Sequence, residues 1–245
     1  MSRFLRLLNY STVLLGCTVL GGHLNAVLEL PDLEVNPATG YIESVESTVV
    51  GSNYDVRLVV DEGEGGSRSV LVLTTDSADD QRPRLAIRGN GESWVVWWRD
   101  SSTDGIYFRH RDLNTGSWTA ETRISLDGES SRRPEIVHDG LSTLIAYEFD
   151  SGIHTAIAVV GIGDSPEPFP TRTVLATTSL SGAVGVLAHS VSGHVWVTWA
   201  HSTQDVGWCE YDKTALQWGP VNYEPYATGG VPAATDRIQA TVLGP

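Results

Sequence analysis

A chain of 245 residues, 41% apolar and 19% charged, is long enough to bury a sizeable core and too apolar to stay disordered. Its 30 Asp and Glu outweigh 16 Lys and Arg for a net charge of -14, a surface that repels phosphate backbones and anionic lipid and argues against nucleic-acid partners. Eight Trp, eight Tyr and 25 Gly beside a single Met favour short strands and tight turns, and no stretch keeps helical periodicity over three turns.

The N-terminus differs from the rest. Arg3 and Arg6 precede an apolar run over 12–20, then Gly21, Gly22 and a cleavage point near Ala26, so 1–26 read as a signal peptide and the protein as secreted or associated with the cell envelope. The run is too short for a transmembrane helix, which takes about 20 apolar residues. Leu14-Leu15-Gly16-Cys17 also resembles a bacterial lipobox, in which Cys17 would carry a lipid anchor. Cleavage beyond Cys17 leaves Cys209 as the one thiol of the mature chain, so no internal disulfide forms and packing must supply stability.

Residues 27–40, with Pro31 and Pro37, read as a linker or an irregular first strand, and 41–245 as a repeat domain. Segments 45–50, 56–60 and 70–73 form the last three strands of a first unit. The next unit places strands near 83–88, 93–99, 105–111 and 118–125. Its opening Arg82-Pro83-Arg84-Leu85 aligns with Arg133-Pro134-Glu135-Ile136 and with Ala183-Val184-Gly185-Val186. Its second strand, Ser93-Trp94-Val95-Val96-Trp97-Trp98-Arg99, aligns with Leu144-Ile145-Ala146-Tyr147-Glu148 and Val195-Trp196-Val197-Thr198-Trp199, which matches Trp98 to Tyr147 and Trp199. The period is about fifty residues: 51 from Pro83 to Pro134, 49 from Trp98 to Tyr147 and 52 from there to Trp199. Bulk on both faces of these strands suits a strand sandwiched between neighbouring sheets, so the aromatics are core first and ligand platforms second. The tail, 236–243, reads as the first strand of a further unit. Either it completes the N-terminal blade and closes a ring, or the ring is open and closes by association.

The sharpest signature lies between the third and fourth strands. Asp112 and Trp118, then Asp212 and Trp218, stand six apart in turns 100 residues from each other. The carboxylate can accept turn amide hydrogens while the indole fills the gap between sheets. These turns resemble the Asp-box (BNR) repeat of sialidase-like propellers and, more loosely, the kelch repeat. The resemblance implies an all-β fold, a β-propeller of about four four-stranded blades, with this turn structural and away from the binding face. Departures are plain: Asp112 lies four residues before Gly116 rather than two, and the middle unit lacks the box.

In such a fold the fourth-to-first and second-to-third connections share one mouth of the central channel, gathering 76–82, 100–104, 127–133, 150–152 and 201–205. Candidate ligand residues there are Arg82, Arg99, Asp100, Asp104, Arg133, His201 and Asp205, hydrogen-bonding sugar hydroxyls beside Trp97 or Trp98. The competing structural reading is that Asp55, Asp104 and Asp205 each cap the same tight turn. The function expected is a non-catalytic module binding a glycan or a protein ligand. The alternative is a degenerate sialidase-type hydrolase, for which the resemblance implies an arginine cluster, a Tyr nucleophile activated by Glu and an acidic proton donor. Against it, Tyr147 and Glu148 are neighbours on a strand and point to opposite faces, and the Arg-Pro pairs recur with the repeat. No motif implies a cofactor. Calcium suits converging carboxylates, yet no Asp-x-Asp-x-Asp-Gly loop exists, and His189, His194 and His201 are a weak zinc signal on alternating strands. The proline-rich insertion 161–170 is either a recognition loop or a stiffened surface loop.

Overall fold

The computed structural model describes residues 31–101, 104–138, 143–152, 154–162, 172–178, 186–191, 194–202, 205–212, 215 and 217–225. Among them there is no helix, and so none long and apolar enough to cross a membrane. The signal residues with Cys17, the insertion 163–170 and the tail 236–243 lie outside the described residues.

Four antiparallel sheets follow one another along the chain. The first holds β1 (Asp32–Val35), β2 (Ile42–Val50), β3 (Asn53–Asp61) and β4 (Arg68–Val72). The second holds β5 (Asp79–Ile87), β6 (Ser93–Asp100), β7 (Gly105–His110) and β8 (Thr122–Arg123). The third is β9 (Ser131–His138), β10 (Thr143–Asp150), β11 (Thr155–Ile162) and β12 (Thr173–Thr177). The fourth is β13 (Val186–Val191), β14 (His194–Ala200) and β15 (Asp205–Asp212), with its outermost position shared by β16 (Gln217–Trp218) and β17 (Asn222–Pro225), both paired to β15. Each sheet is a meander of consecutive strands. β5 lies on β1, β2 and β3, β9 on β5, β6 and β7, and β13 on β9 and β10. The first strand of each sheet therefore meets the sheet before it, as blades of a β-propeller do around an axis, with β1, β5, β9 and β13 innermost. The stretch around 27–40 contributes β1, so the first sheet holds four strands of its own.

Buried apolar side chains collect in three clusters, one at each seam between successive sheets. Val45, Val56, Leu58 and Leu73 meet Leu85, Val95 and Trp97 at the first seam. Trp94, Val96, Ile106 and Phe108 meet Ile136, Ile145, Tyr147 and Ala158 at the second. Leu144, Ala146, Ile157 and Val159 meet Val195, Val197, Trp199 and the free Cys209 at the third. Burial pushes the Cys209 thiol up to about 11, which keeps it protonated and inert.

These clusters correct the repeat register. Tyr147 and Trp199 each face the preceding sheet, and the residue doing so in the second sheet is Trp97, not Trp98, which faces the third. Strand pairing shows the same equivalence, because a bulge stands opposite each of these residues. On β5, Gln81 pairs with Trp98 and Arg84 with Val96, so Arg82 and Pro83 together stand opposite Trp97. On β9, Arg132 pairs with Glu148 and Glu135 with Ala146, so Arg133 and Pro134 together stand opposite Tyr147. The Arg-Pro pairs thus sit inside the innermost strands rather than at their starts. Both arginines hold φ at 52°, a left-handed conformation costing roughly 1–2 kcal/mol for a residue with a side chain. Each proline, lacking an N–H, removes a donor where the ladder is already open.

Gly207 on β15 lies against Trp199, and a Cβ there would come within 2.4 Å of the fully buried indole. Gly207→Ala is expected to lower stability by about 1–3 kcal/mol, read as a lower urea midpoint. Gly89→Ala, where a Cβ meets nothing, leaves the midpoint in place.

Candidate functional site

The predicted mouth holds two buried polar plugs. At the first seam the Trp97 indole donates to Asp80 (3.0 Å), and Arg99 grips the same carboxylate through Nε (2.8 Å) and Nη2 (3.0 Å). Arg99 also holds Glu121 with two bonds (2.7 and 2.8 Å), pairs with Asp76 and lies over the Tyr107 ring. Burial pushes the Asp80 pKa up, the guanidinium only partly offsetting it. At the second seam the Tyr147 hydroxyl donates to Glu129 (3.3 Å) and accepts from Arg172 (2.9 Å), which itself pairs with Glu129 and stacks over Phe149. The recurring device is an aromatic polar tip on a crossover carboxylate held by an arginine. Tyr147 therefore works with Glu129, not with its neighbour Glu148, which faces away toward Arg132. Burial pushes the Tyr147 hydroxyl up to about 12, the reverse of what a nucleophile needs.

The other sequence candidates are dispersed. Asp104 accepts the amide of Ser101 (3.0 Å), and Asp205 exchanges bonds with Ser202, so both cap second-to-third turns. Asp55 is buried beside the Thr74 hydroxyl instead. Asp100 is exposed, its pKa raised by local desolvation and by Asp104 and Asp79. His201 packs against the exposed Tyr223 ring at 4.2 Å. Asp100 and Asp104 belong to the second sheet and His201 and Asp205 to the fourth, with the third between them. Arg82 and Arg133 occupy equivalent bulges on adjacent innermost strands, and Arg133 reaches within 3.9 Å of Glu148. At the opposite mouth Asp112 caps its turn through the Asn114 amide (2.8 Å), Asp212 does so through Ala215 (2.9 Å), and Trp118 and Trp218 pack on the first- and third-seam clusters. Among the described residues no group of three or more His, Cys, Asp or Glu gathers closely enough to hold a metal ion.

A constellation absent from the sequence reading lies on the innermost strands. Asp32 and Glu34, two apart on β1, share the face opposite Leu33 and Val35. Asp32 accepts the Leu85 amide (2.9 Å) and Glu34 the Ile87 amide (2.8 Å), so both carboxylates cover the free edge of β5. One step around, Arg84 on β5 pairs with Glu135 on β9 (2.9 Å). Charged side chains thus bridge β1 to β5 and β5 to β9. One oxygen each of Asp32 and Glu34 takes no hydrogen bond among the described residues. Burial, with repulsion from Asp32 and Glu43 and in spite of the Ile87 amide, pushes the Glu34 pKa up to about 7. The alternation Asp32-Leu33-Glu34-Val35 was the available signal.

Two variants test these assignments. Arg99→Ala leaves Asp80 buried without its cation and is expected to cost about 3–5 kcal/mol, with part of the loss recovered by adding Asp80→Asn, measured by urea unfolding. For Glu34, the folded pKa of about 7 lies above the unfolded value of 4.5, so the native state keeps a proton that the unfolded chain releases. Its contribution to stability falls as pH rises from 4.5 to 7. Glu34→Gln, which keeps an oxygen for Ile87, is expected to raise the thermal midpoint at pH 8, by at most about 2 kcal/mol of stability, and to leave it unchanged near pH 4.

No protein-family model and no curated protein matches the chain. Among solved structures it is similar to a protein of unknown function from Dyadobacter fermentans, with 12% identity and a TM-score of 0.53 over 78% of this chain and 50% of that one. It is also similar to an endo-arabinase from Bacteroides thetaiotaomicron, with 12% identity and a TM-score of 0.52 over 80% of this chain and 78% of that one. The chain spans half the length of the first of these. At such identity the likeness is one of fold: an all-β propeller of four-stranded blades, without the sialidase or Asp-box family in particular.

Proposed function

We propose that this protein is a non-catalytic β-propeller that binds glycans along its axis, with Asp32 and Glu34 as the principal hydrogen-bonding groups. The observation that carries the reading is the row of charged side chains on β1, β5 and β9, in which Asp32 and Glu34 each have one oxygen that takes no hydrogen bond among the described residues. Carboxylates accept sugar hydroxyls well, and the net charge of -14 favours neutral over anionic glycans. The fold shared with an endo-arabinase supports a saccharide as the ligand class. Export through residues 1–26 agrees with an extracellular or envelope glycan.

Hydrolysis is the second reading, favoured by Glu34, whose raised pKa suits a general acid and which has a second carboxylate, Asp32, two residues away. Geometry speaks against it. Residues two apart on a strand stand about 6.6 Å apart on one side of a ligand, whereas an acid and a base must flank the scissile bond. A sialidase-type step lacks its nucleophile, since Tyr147 is fully buried. Calorimetric titration with linear arabinan and a panel of neutral oligosaccharides is the test. Saturable binding is expected, with no release of reducing ends and about tenfold or greater weakening in Asp32→Asn or Glu34→Gln. Reducing-end release abolished by Glu34→Gln establishes the hydrolase instead. Binding unaffected by either variant moves the site away from β1.

A further inference from the structure

At the mouth opposite the Asp80 and Glu129 plugs, a chain of polar side chains crosses the second seam around Trp94. Arg88 leaves the β5–β6 turn, lies over the Trp94 ring at 4.9 Å and reaches the third sheet, where its Nη2 donates to the Thr143 hydroxyl (3.0 Å). Thr143 opens β10 directly opposite His138, the last residue of β9, and its Oγ1 lies 2.9 Å from His138 Nδ1. His138 stands edge-on to the same indole at 6.1 Å. Beside them are Glu92, which holds Arg88 (3.2 Å), and His110, whose Nδ1 lies 2.7 Å from Glu92 and whose ring stacks on Trp94 at 4.3 Å.

This geometry fixes the place of one proton. Thr143 is fully buried, and among the described residues its hydroxyl has two partners, Arg88 and His138. A hydroxyl has one proton to give and two lone pairs with which to accept. Arg88 can only donate, so it occupies a lone pair. The hydroxyl proton then has one acceptor within reach, the Nδ1 lone pair of a neutral His138 whose ring proton sits on Nε2. With a proton on Nδ1, two donors converge on Oγ1 and the buried hydroxyl proton is left without an acceptor. A charged ring adds to this a second cation beside the Arg88 guanidinium. We propose that Arg88, Thr143 and His138 form a pH-sensitive latch between the second and third sheets, closed while His138 is neutral and opened when acid protonates it. The folded chain resists a proton that the unfolded chain takes up, so the latch's contribution to stability is present at neutral pH and lost as pH falls below about 6.5, the ordinary histidine value. The Arg84–Glu135 pair nearer the axis contains no histidine, so acid loosens one mouth of the seam and spares its inner edge.

Histidine nitrogen NMR on the unmodified protein reads the tautomer directly and needs no variant. At pH 8 His138 is expected in the Nε2–H form, and the Nδ1–H form overturns the proposal. Thr143→Val is expected to let His138 protonate about one pH unit higher than in the unmodified chain, a tenfold change in proton affinity. Identical titration in the two proteins overturns the proposal. Urea unfolding tests the tie itself. Thr143→Val is expected to lower the folding equilibrium constant about tenfold at pH 8 and by less than about threefold at pH 5. In a His138→Gln background, where an amide oxygen accepts from Thr143 at every pH, the same substitution is expected to have equal effects at both pH values. A tenfold loss that persists at pH 5 with His138 in place marks a purely structural hydroxyl and overturns the latch.

Discussion

Four small sheets are held in one molecule by what happens at their seams. The second and third sheets have two apolar faces, so β6 and β10 carry bulk on both sides and the seams beside them fill with large rings. Rings large enough to fill them, Trp97 and Tyr147, bring an N–H or O–H into a buried place, and an unmet polar group there costs about 1–3 kcal/mol. The carboxylates Asp80 and Glu129, sited where the chain crosses into the next sheet, meet that need. A carboxylate carried into such a place is stabilised by a cation beside it, and Arg99 and Arg172 supply one. At these two seams hydrophobic packing, a satisfied polar tip and an ion pair come as one linked set, whereas the Trp199 indole at the third seam is buried with no partner among the described residues.

The axis is governed by a second constraint, the unpaired edge of every innermost strand. Such edges invite association, and here side chains cover them. Asp32 and Glu34 take the amides of β5, and Arg84 with Glu135 ties β5 to β9. In the proposed function the same groups would contact the ligand, so edge protection and ligand recognition would fall to a single set of residues. The strained bulges at Arg82 and Arg133 interrupt the ladders of these same strands.

Much of this was legible in the sequence. The fifty-residue period, the four-stranded units and the capped Asp-x5-Trp turns follow from composition and spacing. The pairing of faces was misread by one residue because Val95-Val96-Trp97-Trp98 is bulky at every position, so alternation alone does not say which Trp faces which sheet. The strand pairing decides it, with Trp97 opposite Arg82 and Pro83 as Tyr147 is opposite Arg133 and Pro134. Arg99 looked like a ligand group because sequence gives charge without burial. Arg172 and Glu129 went unseen because they lie 25 and 18 residues from the Tyr147 they serve. The β1 carboxylates were missed for a simpler reason: a four-residue strand between prolines carries little periodic signal.

The three apolar clusters each join sequence neighbours, and that pattern has a mechanical consequence. Load and disorder pass along such an array from one unit to the next, so cooperativity depends on the weakest link rather than on a common centre. Among the described residues the second and third sheets are packed from both flanks and the first and fourth from one, so fraying is expected to start at the latter. Partial opening at the β1–β4 end would loosen Asp32 and Glu34 while the remaining units stay folded, so binding by the proposed route would depend on the integrity of that one sheet.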